Sequence, residues 1–434
     1  MRILLVGINY APDLIGVAKY NTELCENLVA EGHEVRVVTA PPYYPAWSIP
    51  AGSNASYFRR STMGGVGVMR TPIYVPKQPT GAKRLIHHLS FALTSLVPVL
   101  IDAYYWRPDI IISVAPSLMS ARFASFVARR IDAKSWLHVQ DFEIDAAYGL
   151  GLLRNASLRK LMLKAEAAVL RSFDRVSSIC PQMVERLWDK NVDPQRSTEI
   201  RNWIDTDVIV PRPKQTKYRT SLNIREDDVV ALYAGTMSAK QGLDLLVEAA
   251  ALLRHNPRLH FILAGEGPHK ARLVDMASDN PRVHFLGLQP NESFNELLAT
   301  ADLHVVPQRA EAADLVLPSK LGAMFASARP VVAMAARGTG LAAEVQGAGL
   351  LVPAGDVRSL ADAILQLSED SSLRERLGAE GRKRSIERWD RRTIVRRWIE
   401  SMSSICGRPG RSEHGPGVVS GKATTSINDA LPLS

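Results

Sequence analysis

Short, β-rich apolar runs alternate with helix-length segments along most of this 434-residue chain, and the pattern occurs twice. In the first half the runs are Ile3 to Val6, Val35 to Thr39, Ile110 to Val114 and Ser135 to Val139, separated by segments such as Lys19 to Glu31 and Ser120 to Ile131. In the second half they are Val229 to Ala234, His260 to Ala264, Val283 to Leu286, Leu303 to Val306 and Val331 to Met334, with Leu243 to Leu253 and Phe294 to Ala301 between them. Such alternation predicts parallel α/β sheets covered by helices on both faces. The chain is too long for one ordinary core, so two domains of roughly 200 residues each are expected. Pro211 to Lys217, rich in Pro, Lys and Arg, reads as the linker. The expected division is 1–205, 206–384, a closing helix over 385–406 and a Gly/Ser/Pro/Thr-rich tail over 407–434 that predicts disorder. The closing helix is predicted over Ser385 to Met402, with Arg388, Arg391, Arg392, Arg396 and Arg397 on a solvated face.

Charge and cysteine content narrow the function. Cys25, Cys180 and Cys406 lie far apart with no metal or redox spacing, which favours a reducing cytoplasm. The first apolar run is only strand length and passes into Asn9 and Pro12, unlike the apolar core of a signal peptide. A net charge of +9 and a pI near 9.5 suit nucleic acid, an anionic membrane or an anionic substrate. No module that gathers basic and aromatic residues for nucleic-acid reading is recognisable. Lys77, Lys83 and Arg84 precede the apolar run Leu85 to Ile101, which polar residues dilute, so an interfacial or buried helix is expected there rather than a spanning one. Two doubly wound domains also suit a dehydrogenase or a periplasmic binding protein. The first would need G-x-G-x-x-G after the first strand and an acid after the second, and neither is present; the second would need export.

Phosphate-type loops occur in each half. Gly16 precedes the first helix, and Leu317-Pro318-Ser319-Lys320-Leu321 enters a small-residue helix with a lysine beside its start. Together with Gly7 to Tyr20, Gly32-His33-Glu34-Val35, Tyr43-Tyr44-Pro45-Ala46-Trp47, Tyr74-Val75-Pro76-Lys77-Gln78-Pro79 and His138-Val139-Gln140-Asp141-Phe142-Glu143, these segments resemble family 4 glycosyltransferases. More narrowly, they are similar to the WcaI branch, colanic-acid-type fucosyltransferases of exopolysaccharide assembly. The resemblance covers roughly residues 1 to 405. It implies a GT-B fold, with two Rossmann-like domains facing a central cleft and a C-terminal helix crossing back. It also implies a nucleotide-sugar donor, GDP-fucose in the nearest branch, retention of anomeric configuration and no metal. The implied acceptor is polyprenyl-diphosphate-linked, and the implied location is cytoplasmic and peripheral on the inner face of the cell membrane.

What the resemblance implies for individual residues is uneven. Gly16, Gly235, Thr236, Lys240, Gly265, Glu266 and Lys320 are the donor-binding candidates. Thr236 stands where the family often has arginine, and Lys240 comes one position early because Gln241 intervenes. Ala323 occupies the place of a ribose-binding glutamate and cannot accept a hydrogen bond from a diol. Glu311 and Asp314 are the nearby acids, with Asp314 the candidate to face the sugar. In the first domain Gln140 fills the usual histidine slot. His138, two residues earlier on the same strand face, is the catalytic candidate, with Asp141 or Glu143 orienting the acceptor hydroxyl. Asp205-Thr206-Asp207 mimics a metal-binding D-x-D but is read as part of the turn after Asn202-Trp203-Ile204, so no metal is assigned. The competing readings are another nucleotide-sugar-dependent hexosyltransferase of lipopolysaccharide or capsule assembly, and a catalytically silent scaffold.

Overall fold

A computed structural model describes residues 1–407 apart from 14–15, 45, 143–155, 310–317 and 319. The first sheet contains β1 Arg2–Val6, β2 Glu34–Thr39, β3 Arg59–Met63, β4 Val66–Arg70, β5 Ile110–Val114, β6 Lys134–Val139, β7 Arg175–Ser178 and β8 Ser197–Glu199. Their order is β3-β4-β2-β1-β5-β6-β7-β8, parallel throughout except for the antiparallel β3–β4 pair. The second sheet holds β9 Val229–Ala234, β10 Leu259–Ala264, β11 Val283–Leu286, β12 Leu303–Val306, β13 Val331–Met334 and β14 Gly349–Val352. All its pairs are parallel, in the order β11-β10-β9-β12-β13-β14. Strand order therefore reverses beside β1 in one sheet and beside β9 in the other. Ligands of open α/β sheets bind outside the carboxyl ends of the strands at such reversals. The loops that leave β1 and β9, carrying Gly16 and Gly235, occupy those two places.

The expected strands form, because central strands buried on both faces are legible as continuous apolar runs. Every residue of β5 and β9 is buried. The edge strand β11 was expected, but both edges of the first sheet, its inner strand β7 and the edge strand β14 of the second were not foreseen. The β3–β4 hairpin begins with Arg59-Arg60-Ser61, and β8 is Ser197-Thr198-Glu199; their side chains are largely exposed or half-buried, so no apolar period marks them.

The single closing helix is corrected to two, Ser371–Trp389 and Arg391–Ile405, broken at Asp390. Asp390 is extended and its carboxylate accepts from the Thr393 amide at 3.1 Å, capping the second helix. Its neighbour Trp389 accepts from the Ile204 amide, and Ile204 in turn accepts from Arg391, so the crossing segment is hydrogen-bonded to the inter-domain connection. The second helix returns to the first domain, where Trp398 packs on Trp136 with ring centroids 4.7 Å apart. The expected solvated arginine face is partly corrected as well. Arg388 pairs with Glu344, Arg391 with Asp205 and Arg392 with Asp207. The D-x-D carboxylates are thus engaged by arginines, and Asp205 also accepts from the Asp207 and Val208 amides in a tight turn.

The two domains share packing on this side. One buried cluster joins Leu137, Phe142 and Ile204 to Leu321, Phe325 and Trp389. Beside it, buried Glu344 accepts from Arg201 at 2.7 Å as well as from Arg388.

The basic-apolar segment forms the helix Gly81–Ile101, continued by a π-helical turn over Asp102–Trp106. One face is anchored in the first domain: the His87 ring Nδ1 bonds the Tyr74 carbonyl at 2.6 Å, and Thr94 donates to the Pro72 carbonyl. Tyr43 and Trp47 pack on the His87 ring at 4.7 and 5.1 Å. The segments around Tyr43 and around Tyr74, two of those that carry the resemblance, therefore converge on one buried histidine.

Candidate active site

The best-defined site lies at the carboxyl ends of β9 and β10. After β9 the chain turns through Gly235, whose φ of +151° leaves a backbone with no Cβ beside the Lys320 ammonium. A Cβ there would lie 3.2 Å from Lys320 Nζ and 3.3 Å from the Tyr233 hydroxyl. The ammonium stands over the Tyr233 ring, 3.7 Å from its centroid. Tyr233, itself fully buried, donates its hydroxyl to the Thr236 carbonyl at 2.8 Å. One side chain thus holds both the cation and the loop. No carboxylate among the described residues pairs with Lys320, and burial pushes its pKa down to about 7.

The turn after β10 is fused to this loop. Gly235 N donates to the Ala264 carbonyl at 2.9 Å and Met237 N to the Glu266 carbonyl at 2.9 Å. The backbones approach so closely that a Cβ on Gly265 would collide with the Gly235 carbonyl, and one on Gly267 with that of Met237. Glu266 is exposed and paired with Lys270 at 2.7 Å. Thr236 is exposed at the turn. The backbone of Lys240 lies in the short 3-10 turn Ala239–Gln241, which leads through Gly242 in the left-handed region into the helix Leu243–Leu252; its side chain lies outside the described residues.

Arg309, which follows β12, returns to this loop. It donates to the Ala239 carbonyl at 3.3 Å and pairs with Asp244. A guanidinium therefore reaches the loop from another element, although Thr236 occupies the family's arginine position. Neither Arg309 nor Tyr233 was foreseen, since nothing local marks a charge that folds back or a tyrosine within an apolar strand. Ala323 sits in the wholly buried helix Leu321–Ala326. Asp314, Glu311 and Glu143 lie outside the described residues.

In the first domain, Gly16 starts the helix Val17–Ala30 with no side-chain cap, in the left-handed region and with open space where a Cβ would be. His138 differs from its expected place facing the cleft. It is 4% exposed, its Nδ1 bonds the Ser177 hydroxyl at 2.8 Å, its Nε2 lies 3.0 Å from Gln140 Nε2, and Trp398 packs edge-on against the ring. Both nitrogens are therefore spent inside the protein. Gln140 in turn exchanges two hydrogen bonds with Asn202, which ties the end of β6 to the inter-domain connection. Asp141 is half-buried at the end of the same strand.

Burial alone pushes the His138 pKa down to about 3, and burial with nearby Arg329 does the same for His304. Between pH 6.5 and about 3 the unfolded chain binds protons that these folded histidines refuse, so stability rises with pH across that window. Each histidine is expected to contribute a slope of up to about 1.4 kcal/mol per pH unit. Urea unfolding at pH 4, 5 and 7 would measure it. His138→Gln should flatten the slope and should remove no inflection near neutral pH from the rate profile.

Paired doubly wound sheets, with glycine-containing loops at both strand-order reversals, are the architecture of the GT-B fold. The sequence matches the family described as Glycosyl transferase 4-like domain over residues 16–203 and that described as Glycosyl transferases group 1 over residues 228–370. It is 39% identical over 328 residues to a protein of Escherichia coli (strain K12) named as a candidate colanic acid biosynthesis glycosyl transferase, WcaI, covering 74% of this chain and 80% of that one. Among solved structures, sucrose-phosphate synthase from Thermosynechococcus elongatus superposes with a TM-score of 0.74 at 19% identity, covering 94% of this chain and 99% of that one. HepE of Anabaena, in complex with UDP and glucose, superposes with a TM-score of 0.68 at 17% identity, covering 93% and 100%. The chain belongs to the group 1 glycosyltransferases and is a GT-B enzyme.

Proposed function

We propose that this enzyme moves fucose from GDP-fucose onto a polyprenyl-diphosphate-linked acceptor in the assembly of a colanic-acid-like exopolysaccharide, retaining the anomeric configuration and using no metal ion. The observation that carries the reading is the Lys320 ammonium, held over Tyr233 beside the bare backbone of Gly235 and unmatched by a described carboxylate. The WcaI relative at 39% identity supports the pathway class. Breaking a sugar–diphosphate bond puts negative charge on the leaving group and positive charge on the anomeric carbon. Lys320 and Lys240, with the amides of the Gly235 and Gly265 loops, would receive the diphosphate. Gly16 would let the acceptor-side backbone approach it, Asp141 would orient the acceptor hydroxyl, and Asp314 would face the sugar. His138 then serves by holding Gln140. The reaction belongs in the cytoplasm, on the inner face of the cell membrane.

Two measurements test this. A ligand bound only by the native state stabilises it by about 2.7 kcal/mol at a hundredfold excess over its Kd. GDP-fucose should therefore raise the thermal midpoint, while UDP-glucose and GDP-mannose at equal concentration should do so less. A larger shift with another donor would reassign the enzyme to a different hexosyl transfer of lipopolysaccharide or capsule assembly, and no shift with any donor would favour the silent scaffold. Turnover should also survive excess EDTA; loss restored by manganese would overturn the metal-free assignment.

A further inference from the structure

The helix Gly81–Ile101 with its π-helical turn buries one face and leaves the other bare. Ile86, Leu89, Leu93, Val97, Leu100 and Tyr104 are all at least 40% exposed. Their spacing of three and four residues returns to the same side after five helical turns, giving one apolar stripe about 27 Å long. Monomeric soluble proteins seldom leave so large a contiguous apolar patch uncovered.

Charge indicates what covers it. No Asp or Glu occurs between Arg70 and Asp102, or in residues 110–131. Exposed Lys77, Lys83 and Arg84 flank the start of the stripe. The neighbouring helix Leu118–Arg130 presents Phe126 between exposed Arg122, Arg129 and Arg130. At the far end stand Tyr104 and Tyr105, the second 88% exposed. Aliphatic residues along one face, cations beside them and aromatic residues at an end fit the headgroup boundary of an anionic bilayer.

We propose that this stripe docks the enzyme on anionic membrane, with the helix lying in the plane of the interface and its apolar face inserted. A spanning arrangement is disfavoured by the opposite face, where Phe91, Ala92, Ser95 and Val99 are buried in the first domain and His87 and Thr94 are hydrogen-bonded to it. The helix begins beside the loop that leaves β2, where Arg84 lies over Trp47, and ends near the start of β5. Docking along its length would hold this flank of the first domain, from the loop after β2 to the start of β5, against the headgroups. This gives the peripheral location a specific surface without resting on the donor or acceptor assignment.

The test is co-sedimentation of the full-length protein, with no sugar present, on phosphatidylcholine vesicles with and without 30% phosphatidylglycerol. Wild type should bind the anionic vesicles at 50 mM NaCl, keep at least half its binding at 1 M NaCl and come off in alkaline carbonate. Leu89→Glu/Leu93→Glu/Val97→Glu should lower binding at least tenfold at either salt concentration, and Lys77→Glu/Lys83→Glu/Arg84→Glu should do so mainly at low salt. These side chains are exposed, so thermal midpoints should hold; Leu93→Glu alone, with at least a threefold loss, serves if the triple variant does not fold. Equal binding of wild type and the stripe variants, or a wild type found only in the supernatant, would overturn the proposal. So would a dimer that the stripe substitutions dissolve without changing vesicle binding, because a second copy would then cover the face. Retention after carbonate would overturn the in-plane arrangement.

Discussion

Lys320→Met is expected to lower turnover at least a hundredfold while raising the thermal midpoint of the ligand-free protein. A fixed donor aimed at the developing charge of a leaving group is typically worth about 2.7 kcal/mol or more, and each 1.36 kcal/mol is tenfold in rate. The opposite effect on stability follows from the burial that pushes the lysine pKa down to about 7. The folded state then binds fewer protons than the unfolded state between pH 7 and the ordinary lysine value, so stability rises with pH over that window. Methionine fills the same space without the charge and removes both the penalty and the slope. Diphosphate binding should draw the proton back, so affinity for GDP should fall as pH rises above about 7, by up to tenfold per unit, and the variant should lose this dependence. Calorimetric titration with GDP from pH 6 to 9 measures it. A variant that turns over normally would remove Lys320 from the diphosphate site.

Gly265→Ala should unfold the donor loops or the whole second domain. Gly265 has φ +146° and its missing Cβ leaves room for the Gly235 carbonyl, a backbone atom that cannot rotate away. Parting the loops would break the bonds that join Gly235 to Ala264 and Met237 to Glu266. Overpacking and backbone strain together should cost about 3 kcal/mol or more, and turnover should fall at least tenfold even where the protein remains folded. Gly338→Ala is the matched control. It also has positive φ, +85°, but nothing lies within 4 Å of the added carbon, so only the left-handed strain of about 1 kcal/mol should appear. Equal losses for the two variants would show that the close approach at Gly265 contributes nothing.

The sequence by itself determined the parallel cores of the two sheets, because their central strands are buried on both faces and read as short β-rich apolar runs alternating with helix-length segments. It also offered Gly16, Gly235, Gly265 and Lys320 as candidates, since a glycine after a strand or before a helix and a lysine entering a small-residue helix are local features. Edge strands such as β8 were illegible, because exposed side chains obey no apolar period. Alternation along β6 correctly put His138 and Gln140 on one face, but alternation does not say what covers that face. Trp398, from the far end of the chain, packs on the ring, and Ser177 and Gln140 engage its nitrogens. Likewise the run Leu85 to Ile101 is apolar in sequence whether it is core or surface. Only tertiary packing decided which face His87 and Phe91 would bury and which Leu93 and Val97 would expose. The same holds for Lys320: its charge is written in the sequence, whereas its electrostatic state depends on Tyr233, Gly235 and Lys320 being brought together from separate segments. Short-range periodicity fixes secondary structure, but solvation and charge state depend on neighbours distant in the chain.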